Sequence, residues 1–492
     1  MARRARVAAV IGSVLAAGLI TAAVWGWAAS RLPDSYSAMQ MGAADYGGGP
    51  APAHAGHDMD MPGMDMAGTD IRDLIADPDA PADVHVELAA RAEKVRIPGA
   101  EPFDGFTLNG STPGPVIRAV QGQLVEVVLR NDDVPDGVTL HWHGVDVPSA
   151  MDGVAGVTQD AVMPGETFTY RFVADQVGTY WYHSHQISHA QVVGGLFGAL
   201  VVTPKADAPA PDAVAIVHTY NGSIRTVNGA VSDVRAEAAG EGEVRVRIVN
   251  TDNSPTSVWV PGLPFRVLAV DGTDVNEPDE VTGRKVTITA GGRADLGIRV
   301  PPEGATVALP GATFTIGDGE PRTGAQPAKA VDMLAYGSPA PLGFDPEAAD
   351  REFRYDIGRM PGFLDGRPGF WWTINGGIVP NVPMFMVAEG DVVVMRISNG
   401  SGELHPMHLH GHHIVVLSRD GVAATGSPWW VDSLTVEHGS TYEIAFVADN
   451  PGIWMDHCHN LPHAAEGLMT HLAYEGVTTP YRMGRATENI PE

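Results

Sequence analysis

The chain has 492 residues, of which 44% are hydrophobic, with 58 glycines, 38 prolines and a formal net charge of −28. This length predicts about three domains, and the glycine and proline content favours a turn-rich β protein. The negative charge argues against nucleic-acid binding, and a single cysteine excludes an intramolecular disulfide.

The first segment, residues 1–31, is predicted to direct the chain to a membrane. Three arginines in the first six residues precede an uncharged, mostly apolar run from Val7 to Ala29, which is long enough to span a bilayer. The excess of arginines before this run places the N-terminus in the cytoplasm and the rest of the chain outside. We therefore expect a signal anchor or a cleaved signal peptide. The protein is then extracytoplasmic, on the outer face of the cell membrane or secreted, and an anchor would keep it in contact with the membrane.

Residues 32–80 are predicted to form a disordered linker, because Gly, Ala, Pro and Asp dominate them without periodicity. Within the linker, residues 54–66 contain six potential soft-metal ligands, which are His54, His57, Met59, Met61, Met64 and Met66. Thioether and imidazole groups suit Cu(I). The segment is either a copper-capture element or a low-complexity tether whose methionines have no role.

Three copies of one pattern follow, predicted as domains 81–205, 206–340 and 341–492. Each copy has an Asn-Gly turn, an apolar strand and a second asparagine that ends the strand. The paired asparagines are Asn109 and Asn131, Asn228 and Asn250, and Asn375 and Asn399. Short alternating strands with Gly and Pro turns indicate Greek-key β-sandwiches, so the predicted fold class is all-β.

Histidines cluster in the first and third copies, but not in the second. The segments are His141-Trp142-His143-Gly144, His183-Ser184-His185, His405-Pro406-Met407-His408-Leu409-His410-Gly411, and His457-Cys458-His459 with His463 beyond it. On a strand, each H-x-H pair presents both imidazoles to one face, while Cys458 faces the other way. Two histidines with one cysteine form the ligand set of a blue-copper centre. The second copy has Ser257–Pro261 in place of H-x-H-G and is expected to be a spacer, so a shared cluster must lie between the outer domains.

These four segments resemble the copper-ligand motifs of the multicopper oxidase family, which includes laccases, ferroxidases and bacterial copper-resistance oxidases. The resemblance implies three cupredoxin domains and four copper ions, one type 1, one type 2 and two type 3. The implied ligands are His141 and His408 for type 2; His143, His183, His185, His410, His457 and His459 for type 3; and His405, Cys458 and His463 for type 1. The implied reaction couples one-electron oxidation of a substrate to four-electron reduction of O₂ to water.

The axial position of the type 1 copper, five residues past His463, differs from that of commoner family members. It is occupied by Leu468, with Met469 one residue later. If Leu468 is axial, the copper has no thioether ligand and its potential should rise. A shifted loop could still bring Met469 to the copper, so both alternatives stay open.

The family's usual carboxylate near the last histidines is missing, since Asn460 and Ala464 occupy the corresponding positions. Asp152 matches the family's other acidic residue near the cluster and is our candidate catalytic residue for proton supply. The alternative is an ordinary turn aspartate before glycine. Asp456 is a weaker candidate for the same role.

The partners implied are O₂ and a small reductant, which is Cu(I), a phenol or Fe(II). The Met/His segment favours Cu(I) and a role in copper tolerance, with phenols second and Fe(II) third. Copper nitrite reductase has a similar fold but needs no coupled copper pair. A non-catalytic copper storage or delivery protein would explain the Met/His segment but not the duplicated H-x-H pairs. Copper content and oxygen consumption distinguish these functions.

Overall fold

The computed structural model describes residues 2–50, 68–205, 211–237 and 242–491. The Met/His segment at 54–66 lies outside the described residues, so its role in copper capture stays a prediction. The fold class is confirmed: the chain is all-β, with cupredoxin-like sandwiches preceded by an apolar N-terminal helix.

The N-terminal part begins with helix α1 (Ala2–Ala29). Its Val10–Ala29 stretch is long and apolar enough to cross a membrane, a property that signal sequences share. Two short strands and two short 3-10 helices follow, namely a 3-10 helix at Ala38–Gln40, β1 (Ala43–Asp45), β2 (Thr69–Asp70) and a 3-10 helix at Ile71–Asp73.

The first domain contains two four-stranded sheets. Its strands are β3 (Val84–Val95), β4 (Phe103–Leu108), β5 (Ile117–Val120), β6 (Leu124–Asn131), β7 (His141–His143), β8 (Thr167–Val173), β9 (Gly178–His183) and β10 (Phe197–Thr203). One sheet has the order β4-β3-β6-β8 and the other has the order β5-β10-β9-β7. A 3-10 helix at Ser149–Met151 and helix α2 (Ser188–Gly194) lie in the connections.

The second domain packs a six-stranded sheet on a five-stranded one. Its strands are β11 (Asp212–Tyr220), β12 (Ile224–Val227), β13 (Asp233–Ala236), β14 (Glu243–Asn250), β15 (Thr256–Trp259), β16 (Arg266–Val270), β17 (Thr273–Asp274), β18 (Lys285–Ile288), β19 (Arg293–Arg299), β20 (Ala305–Leu309) and β21 (Ala312–Ile316). The orders are β12-β11-β14-β19-β16-β17 and β13-β21-β20-β15-β18.

The third domain is the largest. Its strands are β22 (Arg351–Leu364), β23 (Arg367–Ile374), β24 (Pro383–Val387), β25 (Val392–Asn399), β26 (His405–Leu409), β27 (Ile414–Arg419), β28 (Val422–Ala423), β29 (Trp429–Val431), β30 (Ser433–Val436), β31 (Thr441–Val447), β32 (Ile453–Cys458) and β33 (Met469–Tyr474), followed by β34 (Val477–Thr478). One sheet runs β1-β24-β33-β32-β26-β30 and the other runs β23-β22-β25-β31-β27-β28 with β29 beside β27. Short helices lie at Pro346–Ala348 (3-10) and at α3 (Leu461–Ala465).

The prediction that residues 32–80 are disordered is wrong for parts of that range. Strand β1 pairs with β24 in parallel, and β2 pairs with β34. Ala38, Met41 and Ile71 are buried in the core of the third domain. These segments order because they complete sheet edges and insert single apolar side chains, neither of which produces a periodic sequence pattern. The exact boundaries between domains stay a prediction.

The Asn-Gly turns repeat the same geometry in each domain. Asn109, Asn228 and Asn375 have φ values of 55°, 48° and 51°, and each is followed by a glycine that also has positive φ. Two consecutive residues with positive φ make the type I′ turn that suits β-hairpins, and Asn-Gly tolerates it best. The repeated motif is therefore a structural turn, not part of the metal site.

Candidate metal centre

The four histidine segments meet between the first and third domains. In the first domain β7 pairs with β9, which puts His141 opposite His183. In the third domain β26 pairs with β32, which puts His408 opposite His457. Residues directly opposite in an antiparallel pair share a face. Each domain therefore presents its histidines as one patch, and the two patches face each other.

Ring nitrogens from the two domains come within contact distance. The Nε2 atoms of His141 and His408 are 3.3 Å apart. The Nε2 atom of His457 lies 3.4 Å from that of His185 and 3.2 Å from that of His410. Neither domain could assemble these groups alone, as the sequence analysis expected.

The remaining three predicted cluster histidines lie beside this contact. His143 and His183 belong with His141 to a group of donor atoms within 4.8 Å of one another. The ring of His459 is 4.9 Å from the His143 ring and 5.5 Å from the His183 ring. Among the described residues, His459 is the one predicted ligand outside all such converging groups.

The protonation of these histidines fits a metal. Burial lowers the pKa of His143, His183, His185, His408, His410 and His459 well below 6.5, and neighbouring histidines lower it further. Neutral imidazole is the form that binds a metal. Several buried ring nitrogens also have no hydrogen-bond partner, including Nε2 of His183 and both nitrogens of His459. Orphaned buried nitrogens are costly, and a bound cation would satisfy them.

A separate group of sulfur and nitrogen donors lies on the opposite side of β32. Cys458 Sγ is 3.6 Å from His405 Nδ1 and 3.8 Å from His463 Nδ1. The two Nδ1 atoms are 3.1 Å apart. Burial raises the pKa of the Cys458 thiol, so without a metal the sulfur stays protonated. A cation that binds sulfur would favour the thiolate and so lower the pKa of Cys458. The donor set suits copper.

The strand register bears on the axial position beside Cys458. Met469 lies directly opposite His457, so its side chain shares the His457 face of the sheet and not the Cys458 face. Leu468 accepts a hydrogen bond from the Cys458 amide and is fully buried in the same core cluster. Leu468, and not Met469, therefore shares the Cys458 side of the sheet.

Asp152 connects the two histidine patches. It is buried, and its Oδ2 lies 2.9 Å from Nδ1 of His410. Nδ1 of His141 is 3.0 Å from the backbone carbonyl oxygen of Asp152 and 3.0 Å from its Oδ1. These nitrogens are the ones turned away from the contact between domains. Asp152 therefore fixes the orientation of one histidine from each domain, which an ordinary turn aspartate would not do.

Asp456 is placed differently. It precedes His457 on β32 and so faces the other side of the sheet, where the Tyr355 hydroxyl lies 3.4 Å from its Oδ1. Burial raises the pKa of Asp456 to about 8. The carboxyl is oriented toward the core of the third domain and not toward the histidines.

Asp432, which was not among the predicted site residues, is buried and lies 3.0 Å from His143 Nε2. Its carboxylate accepts two hydrogen bonds, of 2.7 and 2.5 Å, from the guanidinium of Arg293 in the second domain. Gly291 of the second domain also packs closely against His143 and His459. The second domain is thus more than a spacer. No spacing pattern marks Asp432 or Arg293, because their proximity arises only from packing of three domains.

The counterpart of the cysteine site in the first domain is polar. Ser184 takes the place of Cys458 there, and its hydroxyl donates a 2.5 Å hydrogen bond to Gln191. This position therefore provides no thiolate that could bind copper.

The sandwiches and these donor groups define a copper protein of the cupredoxin class. Two family models described as multicopper oxidase match the chain, at residues 89–207 and 358–476. Laccase-1 of Botryotinia fuckeliana is 28% identical over 451 residues, which cover 74% of this chain and 77% of the laccase. Multicopper oxidase MmcO of Mycobacterium tuberculosis is 27% identical over 443 residues, or 75% and 83% of the two chains.

Solved structures agree with the sequence comparisons. A multi-copper oxidase from Pseudomonas thermotolerans superimposes with a TM-score of 0.66 and 28% identity, over 80% of this chain and 100% of that one. The chain belongs to the multicopper oxidase family, and copper is its cofactor.

Proposed function

We propose that the protein oxidises a small reductant one electron at a time at a type 1 copper and reduces O₂ to water at a trinuclear copper cluster. The observation that carries this proposal is the convergence of ring nitrogens from the first and third domains within 3.3–3.4 Å. His141 and His408 would hold the type 2 copper. The six remaining cluster histidines would hold the type 3 pair, and His405, Cys458 and His463 the type 1 copper.

Copper in these sites supplies one-electron redox chemistry and the capacity to collect four electrons for O₂. The chain supplies the connection between the sites. Cys458 is bonded through the backbone to His457 and His459, whose side chains face the cluster, while its own sulfur faces the other metal group. An electron that enters at Cys458 has a short covalent path to the cluster histidines.

Asp152 would serve the cluster in two ways. Its carboxylate can accept the Nδ1 protons of His141 and His410, which keeps the opposite nitrogens free to bind copper. The same carboxylate can hold a proton beside the place where O₂ is reduced, which is a general-acid role. Its burial keeps bulk water from competing for these hydrogen bonds.

The reductant is proposed to be Cu(I) or a phenol, with Fe(II) third. The Met/His segment supports Cu(I), and the similarity to Laccase-1 of Botryotinia fuckeliana supports phenols. Electrons would enter at the outer edge of His463, whose side chain is 12% exposed. A membrane-directed N-terminus supports an extracytoplasmic location, where a copper-resistance oxidase would act.

Oxygen uptake by the purified, copper-loaded protein tests this function. Cu(I), Fe(II) and a simple phenol are compared as reductants, with the Cys458→Ser variant loaded in the same way as the matched control. We expect uptake with at least one reductant, about four reducing equivalents per O₂, and no peroxide. Uptake no faster than that of the Cys458→Ser protein with every reductant would refute the proposal.

A further inference from the structure

The end of helix α1 is bonded to a defined place on the third domain. The Gly366 amide donates a 3.1 Å hydrogen bond to Oγ of Ser30, and the Leu32 amide donates a 3.2 Å bond to Oδ1 of Asp365. Gly366 and Asp365 form the turn between β22 and β23. Ser30 is buried in this contact. The helix is therefore fixed to the tip of the β22–β23 hairpin and does not leave the body through a free tether.

Large apolar side chains along the helix are exposed to solvent, and so are apolar side chains on the hairpin. Trp25 is 73% exposed, and Val14, Leu15 and Ile20 are similarly exposed. On the hairpin, Phe370 is 57% exposed and Met360 42%. Exposed apolar surface of this extent marks an interaction site.

The length of the apolar helix favours a bilayer as the partner. The Val10–Ala29 stretch has 20 residues. At 1.5 Å per residue it is about 30 Å long, which equals the thickness of a bilayer's hydrocarbon core. A groove on another protein would not require an apolar surface around the whole helix over that length.

One face of the hairpin joins the helix to the candidate type 1 centre. Phe363 pairs with Pro368, Pro361 with Phe370, and Arg359 with Trp372, so all six side chains share a face. At one end of this face, Phe363 packs against Gly26 of the helix.

At the other end of the same face, the Trp372 ring lies 4.7 Å from the His405 ring and 4.6 Å from the His463 ring. Trp372 lies four positions after Pro368 on the same strand, a distance of about 14 Å. The helix end and the proposed electron entry are therefore close neighbours.

Direct contacts connect the edge of His463 to the exposed hairpin. Glu403 Oε2 lies 3.6 Å from His463 Nε2, and Glu403 Oε1 accepts a 2.8 Å hydrogen bond from Arg359. Arg359 in turn donates from Nε to the carbonyl of Phe370 at 3.3 Å. The exposed residue Phe370 is thus connected to the outer edge of His463 through two residues, Arg359 and Glu403.

We propose that helix α1 and the β22–β23 hairpin form one bilayer-docking surface, which holds the outer edge of His463 toward the phospholipid headgroups. Trp27 and Phe370 supply the aromatic side chains that favour the membrane interface. Arg367, next to the turn of the hairpin, supplies positive charge for anionic headgroups, in a chain whose net charge is −28. Only the naming of His463 as the electron entry rests on the proposed function; the docking does not.

Site-specific labelling of the full-length protein in vesicles tests the docking surface. Cys458 is the sole native cysteine and is buried, so a maleimide fluorophore will react only with an introduced cysteine. Phe370→Cys carries the label on the hairpin. Val422→Cys is the matched control, because Val422 is 63% exposed and lies on β28. Strands β23 and β28 are at opposite edges of one sheet, five strand spacings or about 24 Å apart.

The vesicles contain phosphatidylcholine and phosphatidylglycerol, with a nitroxide on some headgroups as quencher. We expect quenching at position 370 to exceed that at position 422 several-fold. Equal quenching at 370 and 422 would overturn the proposal. So would mass spectrometry showing that the mature protein from cells lacks residues 1–29. Neither the quenching nor the mass measurement depends on turnover. The docking surface is therefore tested even if the protein has no oxidase activity.

Discussion

At the residue scale, alternation along a strand separates the Cys458 side chain from those of its two histidine neighbours. The backbone places the sulfur on one face of β32 and the neighbouring imidazoles on the other. This rule needs no tertiary information, so the sequence alone predicted which residues would group. It could not predict Asp432, whose contact with His143 depends on how β30 meets the first domain.

Cys458→Ser should abolish the blue absorption band and substrate oxidation, because a hydroxyl does not replace thiolate as a copper ligand. Visible absorption of the copper-loaded variant measures this. Ser184→Ala, at the corresponding place in the first domain, is the control and should stay blue. A Cys458→Ser protein with an intact blue band would refute the ligand assignment.

Asp152→Asn should slow reoxidation of the fully reduced enzyme by O₂ by about 100-fold or more, the scale of lost general-acid catalysis. Reduction of the type 1 copper should stay normal, since Asp152 contacts cluster histidines and not the sulfur site. Stopped-flow absorption follows both steps. Asp456→Asn is the control, because that carboxyl faces the protein core; equal reoxidation in the Asp152→Asn and Asp456→Asn variants would exclude the role of Asp152.

At the element scale, the repeated asparagines show why the sandwiches were predictable. The Asn-Gly turn and the asparagine that ends the following strand are local signals, and each recurs in all three domains. The side chain of Asn131 donates to the carbonyls of Val134 and Val162 and accepts from the Val134 amide. Segments such as β1 were not predictable, because three residues at a sheet edge leave no local signal.

Asn131→Ala should lower the free energy of unfolding of the first domain by about 2 kcal/mol, because the buried Val134 amide loses its acceptor and the Val134 and Val162 carbonyls each lose one of two donors. Urea unfolding followed by tryptophan fluorescence measures the change. Gln121→Ala removes an exposed hydrogen bond to Asp175 and serves as the control. An unfolding midpoint that is the same in both variants would show that the buried asparagine is not a structural anchor.

At the scale of the whole molecule, the site exists only because three domains pack together. The outer domains provide the histidines, and Arg293 of the second domain bonds Asp432 behind His143. The sequence predicted that the cluster lies between the outer domains, because each carries half of the pairs. It did not predict the part played by the second domain, since an arginine on β19 has no motif around it.

The metal-free protein should be less stable at pH 5 than at pH 7.5. Burial lowers the pKa of His218, His457 and His471 to about 4, so the unfolded chain takes up protons as the pH falls through 6.5 while the folded chain does not. Stability is therefore lost between pH 6.5 and about 4. Asp271, Asp456 and His413 have the opposite effect, because their pKa values are raised to about 7, 8 and 9 in the folded chain, but the buried histidines with lowered pKa values are more numerous.

Calorimetric Tm values of the chelator-treated protein measure this dependence. A His218→Gln variant is the matched control, because it removes one buried titrating group outside the copper site, and its Tm should fall less between the two pH values. A Tm that is equal or higher at pH 5 would contradict the prediction.

Copper content combined with electron paramagnetic resonance tests the shared cluster most directly. We expect about four coppers per chain in the oxidised protein, with about half of them visible as one type 1 and one type 2 signal. His185→Ala should lose cluster copper and keep the type 1 signal, since His185 contacts His457 and not the sulfur site. About one copper per chain in the unmodified protein, with the blue band intact, would contradict a cluster held between the outer domains.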